Sequence, residues 1–106
     1  MWSTENIAAK VKDHKLVIFA KGSKHAPMCG FSARAIEILR SYDKPFEVVN
    51  IFDDPSIRPA LVGFSQWPTT PQVFVDGELV GGSDIVWEQH QSGDLKGLID
   101  QAFTKA

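Results

Sequence analysis

The chain has 106 residues, 43% of them hydrophobic and 23% charged, with a formal net charge of −2. That length and balance suit one domain over residues 1–106 with a real apolar core, and they leave no basic footprint for nucleic acid. A lone cysteine excludes an internal disulfide and suits a reducing, cytoplasmic setting. No apolar run approaches the roughly 18 residues of a membrane span, so no membrane partner is expected. Met1–Glu5 carries neither the basic nor the apolar region of a secretory leader.

Taken in order, Ser3 or Thr4 caps a first helix expected to reach about Asp13, with Ile7, Ala8 and Val11 on one side. Leu16–Ala20 is continuously apolar, as a strand buried on both faces would be. The periodic run from Ala33 to Tyr42 predicts a second helix, with Phe31, Ala35, Ile38 or Leu39, and Tyr42 on one side and Lys44-Pro45 as its stop. Residues 46–51 read as a strand, and the helix between makes these two strands parallel. A third helix starts at Asp53-Asp54-Pro55-Ser56 and stops at Gly63; Pro59 fits it only in the first turn, with Ser56 as cap. Gln72–Val75, Asp76-Gly77 and Glu78–Val80 form the strongest hairpin signal in the chain. A helix from about Ile85 to Gln91, closed by Gly93, and a last one capped by Asp94 and reaching Phe103 complete the pattern. The order α-β-α-β-α-β-β-α-α is that of an α/β domain with a small, four-stranded mixed sheet.

The chemistry concentrates at Lys21–Ser32, between the first strand and the second helix, where the cysteine, Cys29, stands. A thiol at a helix start meets free N–H groups and a positive dipole end, and Lys21 adds positive potential. Together these lower a thiol pKa from about 8.5 toward neutrality. The residue three places on is Ser32, so Cys29 has no neighbouring thiol with which to resolve a mixed disulfide. Gly81-Gly82 and the helix opening at Ser83-Asp84 offer close backbone approach and free N–H groups to an anionic ligand. His14, His25 and His90 read as solvated residues, and Trp67 and Trp87 as packing groups.

Lys-Gly-(six residues)-Cys-Gly-Phe-Ser at 21–32, Trp-Pro-Thr-x-Pro at 67–71 and Gly-Gly-Ser-Asp at 81–84 resemble, in order and spacing, the monothiol glutaredoxins of the CGFS type. The likeness runs from about Leu16 to Leu98. It implies a thioredoxin-like (glutaredoxin) fold, bound glutathione, and a [2Fe-2S] cluster held between two protomers. By that resemblance Cys29 is the catalytic thiol and cluster ligand. Lys21 stands beside thiol and glutathione carboxylate, and Arg58 meets the glycine-end carboxylate. Thr70 pairs through its backbone with the cysteinyl part, just before Pro71, which is cis in this fold; Ser83 and Asp84 hold the γ-glutamyl end, and Gly82 belongs to the same glutathione site, where it lets the peptide approach the backbone closely. Two features depart from the pattern. Ser83 stands where many relatives have cysteine, and Pro59 biases Arg58 away from helical geometry.

Ligand arithmetic points the same way. A [2Fe-2S] cluster takes about four thiolate-type ligands, and this chain offers one. The remaining sulfurs must come from a second copy and from glutathione. The leading expectation is a carrier that hands its cluster to apo iron–sulfur acceptors, with a BolA-type partner implied by the resemblance alone. The alternatives are a glutathione-dependent disulfide oxidoreductase of weak turnover and a non-catalytic binding module.

Overall fold

The computed structural model describes residues 1–104. Four strands form one sheet in the order β2-β1-β3-β4, with β1 (Leu16–Ala20), β2 (Glu47–Asn50), β3 (Gln72–Val75) and β4 (Glu78–Gly81). β2 runs parallel to β1, while β3 is antiparallel to β1 and to β4. This is the mixed sheet of the thioredoxin-like class.

β1 is buried at all five positions, because alternate residues face two different cores. Leu16, Ile18 and Ala20 join Val73 and Val75 against helices α2 (Gly30–Arg40), α4 (Ser83–Ser92) and α5 (Asp94–Thr104). Val17 and Phe19 join Phe74 and Val49 against α1 (Thr4–Asp13) and α3 (Ile57–Ser65). Phe19 and Phe74 meet edge to face at 5.8 Å. Burying one such ring contributes about 1.5–3 kcal/mol, so helices pack on both faces of the sheet.

Several helix boundaries differ from the sequence reading. The Ser3 cap is borne out, with a reciprocal Ser3–Asn6 capping box. α2 begins at Gly30, one residue after Cys29, so Phe31 falls in its first turn and points outward, 59% exposed, instead of joining the core. α2 ends at Arg40, before Lys44-Pro45, and Asp43 takes a left-handed conformation at φ 57°. A 3-10 turn over Ile51–Asp53 follows β2. Gly63 does not stop α3. A Cβ there would lie 3.3 Å from the Thr4 methyl, so the glycine serves the close approach of α1, and Gln66 at φ 60° closes the helix. Gln66 also donates its side-chain amide to the Gly63 carbonyl at 2.7 Å.

Pro59 sits in the first turn of α3, where its missing N–H removes no helical bond. Arg58 is therefore helical, against the expected bias. Ser56 takes the cap position without capping, because its hydroxyl donates to Asp54 Oδ1 and accepts from the Trp2 N–H. α4 begins at Ser83, two residues earlier than expected, and Asp94 lies in the first turn of α5. The last helix is described as far as Thr104; Lys105 and Ala106 lie outside the described residues.

Candidate functional site

The strand directions bring the motifs together. β1 and β2 are parallel and β3 is antiparallel to them, so the C-terminal ends of β1 and β2 share an edge of the sheet with the N-terminal end of β3. Gly81, at the end of β4, pairs with Val73 near the same edge. Four segments leave that edge: Lys21–Cys29, the turn leading to α3, the Trp67–Pro71 turn, and Gly82–Asp84. They enclose an open groove of about 390 Å³ lined by Lys21, Phe31, Arg58, Trp67, Thr70, Pro71, Gly82, Ser83 and Asp84, among others. Seven of the eight residues singled out from sequence thus face one groove. The eighth, Cys29, stands outside the lining, two residues before Phe31.

Cys29 is the N-cap of α2, with extended backbone at φ −147° and ψ 135°, and is half-buried. Among the described residues its side chain makes no capping hydrogen bond to the helix. The thiol is nonetheless held below its ordinary pKa, most by the Ser32 backbone N–H. Partial burial opposes this, while the Phe31 N–H, the Lys21 charge and the Ser32 hydroxyl reinforce it.

The thiol-bearing loop is closed on itself. Met28 N–H donates to the Lys21 carbonyl at 2.8 Å, and Gly22 bridges Pro27. Gly22 has to be glycine: φ is +101°, and a Cβ would come within 2.5 Å of the Met28 nitrogen. Lys21 N–H donates to Ser32 Oγ at 3.0 Å, and Gly22 N–H donates to Asn50 Oδ1 at 3.1 Å.

The opposite wall is built differently. The Thr70–Pro71 peptide bond is cis and Pro71 is buried. Fully buried Gln72 donates its side-chain amide to the Trp67 and Thr69 carbonyls at 2.9 and 3.0 Å, holding the turn. Arg58 reaches across to the Pro68 carbonyl at 3.5 Å, so Pro59 does not deny it the groove. Trp67 Nε1, Thr70 Oγ1 and Ser83 Oγ are buried with no hydrogen-bond partner among the described residues. Gly82 has ordinary extended backbone at the α4 cap, where a Cβ would meet only normal contacts. Gly81 is the position that demands glycine, for packing: its φ is +141°, and a Cβ there would come within 2.8 Å of the Ile85 side chain.

Three contributors escaped the sequence reading. From sequence Ser32 signals only a missing thiol, yet it is fully buried and anchors Lys21. Asn50 accepts from Gly22 and from Phe52. From sequence Gln72 is only the start of a strand. An Asn at a strand end or a Gln after Pro-Thr-Thr-Pro carries no signal by itself.

A peptide-sized groove lined by Lys21, Arg58 and Asp84, beside one cysteine of lowered pKa on a mixed sheet, defines a thiol protein of the thioredoxin-like class. Residues 16–80 match the family described as Glutaredoxin. The chain is 43% identical to Glutaredoxin 4 of Pasteurella multocida over 105 residues, 99% of this chain and 96% of that one. It is 44% identical to probable monothiol glutaredoxin 2 of Rickettsia felis over 95 residues, 90% and 91% of the two chains. The solution structure of reduced poplar apo GrxS14 superposes with a TM-score of 0.84 at 42% identity, covering 95% of this chain and 93% of that one. The chain belongs to the glutaredoxin family, as a monothiol member of the CGFS type.

Proposed function

We propose that this chain, acting as one glutaredoxin domain in the cytoplasm, carries a [2Fe-2S] cluster as cargo. Cys29 supplies one sulfur, glutathione in the groove supplies a second, and a second copy of the chain with its own glutathione supplies the other two. Lys21 and Arg58 hold the glycine-end carboxylate. The Thr70 backbone beside Pro71 pairs with the cysteinyl part, and Gly82, Ser83 and Asp84 hold the γ-glutamyl end. Apo iron–sulfur proteins receive the cluster, and a BolA-type protein is a further partner.

One observation carries the reading. An activated, half-exposed thiol stands beside a groove whose far wall presents buried polar atoms without partners. Such atoms are destabilising until something supplies their hydrogen bonds, and a small polar peptide does so. The donor count is consistent with a shared cluster: no group of three or more His, Cys, Asp or Glu among the described residues is placed to hold a metal ion. One sulfur per chain is therefore enough only when two chains and two external thiols combine.

The test is anaerobic reconstitution with iron, sulfide and glutathione, followed by visible absorption. The parent is expected to become coloured and Cys29→Ser to stay colourless; equal colour in both overturns the proposal.

The lowered thiol pKa also favours a second reading, reduction of protein–glutathione mixed disulfides. The Cys29 thiolate attacks the glutathione sulfur and releases the protein thiolate. A second glutathione thiolate then attacks the new mixed disulfide, forming oxidised glutathione and restoring Cys29. Ser32 offers no internal resolving thiol, so turnover depends on that second glutathione and is expected to be slow. Brisk turnover in a disulfide-reduction assay, with no cluster formed on reconstitution, would favour this reading over the carrier.

A further inference from the structure

The indole of Trp67 has a place in the groove that its motif does not explain. It lines the groove wall. Its Nε1 is buried, and no acceptor among the described residues takes its proton. An indole nitrogen is a donor only, so a closed apolar pocket would strand it without its hydrogen bond. The Gln72 side chain, which holds the Trp67 carbonyl at 2.9 Å, does not relieve it, because Gln72 Oε1 is itself buried without a donor. The indole nitrogen faces Gly82: a Cβ built on that glycine would lie 3.5 Å from Nε1.

The residue after Gly82 carries a second stranded group. Ser83 is only 7% exposed, and its Oγ has no partner among the described residues. Gly82 caps the ten-residue helix α4 with no side-chain hydrogen bond onto the free N–H groups of the first turn. An indole N–H, a buried hydroxyl and a bare helix start thus converge on one corner of the groove. All of them favour an oxygen carrying negative charge. Asp84, exposed at the same helix start, bars a second anion from the rim and suits an ammonium group.

We infer that Trp67 is a ligand-binding residue: its indole N–H, with Ser83 Oγ, holds the α-carboxylate of the γ-glutamyl end. The adjacent Asp84 then faces the ligand's α-amino group. This rests on the glutathione reading above and assigns to the Trp-Pro-Thr turn a direct part in recognition. A ligand with a carboxylate and an ammonium on one carbon matches this corner, whereas a plain anion meets Asp84.

Two-dimensional ¹H–¹⁵N spectra and calorimetry test it together. The chain has three tryptophans, so the Trp67 indole resonance is assigned by its loss in Trp67→Phe. Adding glutathione to the parent is expected to move that resonance and slow its exchange with solvent. Trp67→Phe, which keeps an aromatic ring and removes the N–H, is expected to weaken glutathione binding about tenfold or more, the loss of one charge-assisted hydrogen bond. The analogue with 4-aminobutyryl in place of γ-glutamyl lacks only the α-carboxylate, and against it parent and variant should bind alike. A parent that binds glutathione with an unmoved indole resonance, or no tighter than Trp67→Phe, overturns this inference alone. An equal Trp67→Phe penalty against the analogue overturns the assignment to that carboxylate. A parent that binds no glutathione overturns the underlying reading with it. Where Trp67→Phe does not fold, Trp2→Phe and Trp87→Phe assign the other two indole resonances and leave that of Trp67, so the folded parent still carries the test.

Discussion

The two walls of the groove differ in how their polar groups are satisfied. On the thiol wall, Lys21, Gly22 and Met28 each give their N–H to a partner within the chain, Ser32, Asn50 and Lys21 in turn. On the proline wall, the buried side-chain atoms of Trp67, Thr70 and Ser83 have none among the described residues. The difference separates two tasks. A sulfur that must stay reactive is held by bonds made at folding, independent of any ligand. A surface that must grip a small polar molecule keeps part of its bonding capacity in reserve.

The sharpest way to break this contrast is to remove the sulfur. Cys29→Ser is expected to abolish visible absorption after reconstitution while leaving glutathione affinity, measured by calorimetry, within a few fold of the parent. A total loss of glutathione binding would show that the proline wall does not grip the ligand by itself. Next comes Asn50→Leu, which leaves the Gly22 and Phe52 N–H groups without their acceptor. It is expected to lower stability by about 1–3 kcal/mol in denaturant titrations and to slow alkylation of Cys29. Asn50→Asp keeps the accepting oxygen and should restore both.

Gln72→Met acts on the other wall. It removes the donor to the Trp67 and Thr69 carbonyls, so glutathione affinity is expected to fall while the pH profile of Cys29 alkylation stays in place. A coupled shift of both readouts would erase the division between the walls.

A smaller effect concerns protonation. The Cys29 thiol is held below its ordinary pKa in the folded chain, most by the Ser32 backbone N–H. Its folded-state pKa is depressed, so the stabilising contribution is full above the unfolded pKa and fades as pH falls through the folded one. Alkylation against pH should show a midpoint below that of a free cysteine, and Ser32→Ala and Lys21→Ala should each move it upward. A midpoint unchanged by both substitutions would remove the electrostatic account of the thiol. Smallest is Lys96→Ala, which breaks an exposed pair with Asp100 at 2.6 Å on α5. It should alter neither glutathione affinity nor thiol reactivity, and its effect on melting should be smaller than that of any groove substitution.

What was legible in the sequence follows the range of the forces involved. The Ser3 cap, the five-residue apolar strand and the hairpin turn at Asp76-Gly77 are local, and all three appear where expected. Arg58, Thr70 and Asp84 were legible through motif spacing, and the groove brings them together. The outward turn of Phe31 was not, because it depends on Cys29 itself starting the helix. Gly63 resembles a stop from inside α3; its purpose is visible only from α1. The supports of the site were hidden for the same reason, since Asn50 acts on Gly22 across 28 positions and Ser32 on Lys21 across 11.

Native mass spectrometry of the coloured, reconstituted species tests the central claim most directly. The account predicts a single mass of two chains, two glutathiones and one [2Fe-2S] cluster, absent when glutathione is omitted. A coloured species of one chain, or a coloured dimer carrying no glutathione, would contradict it.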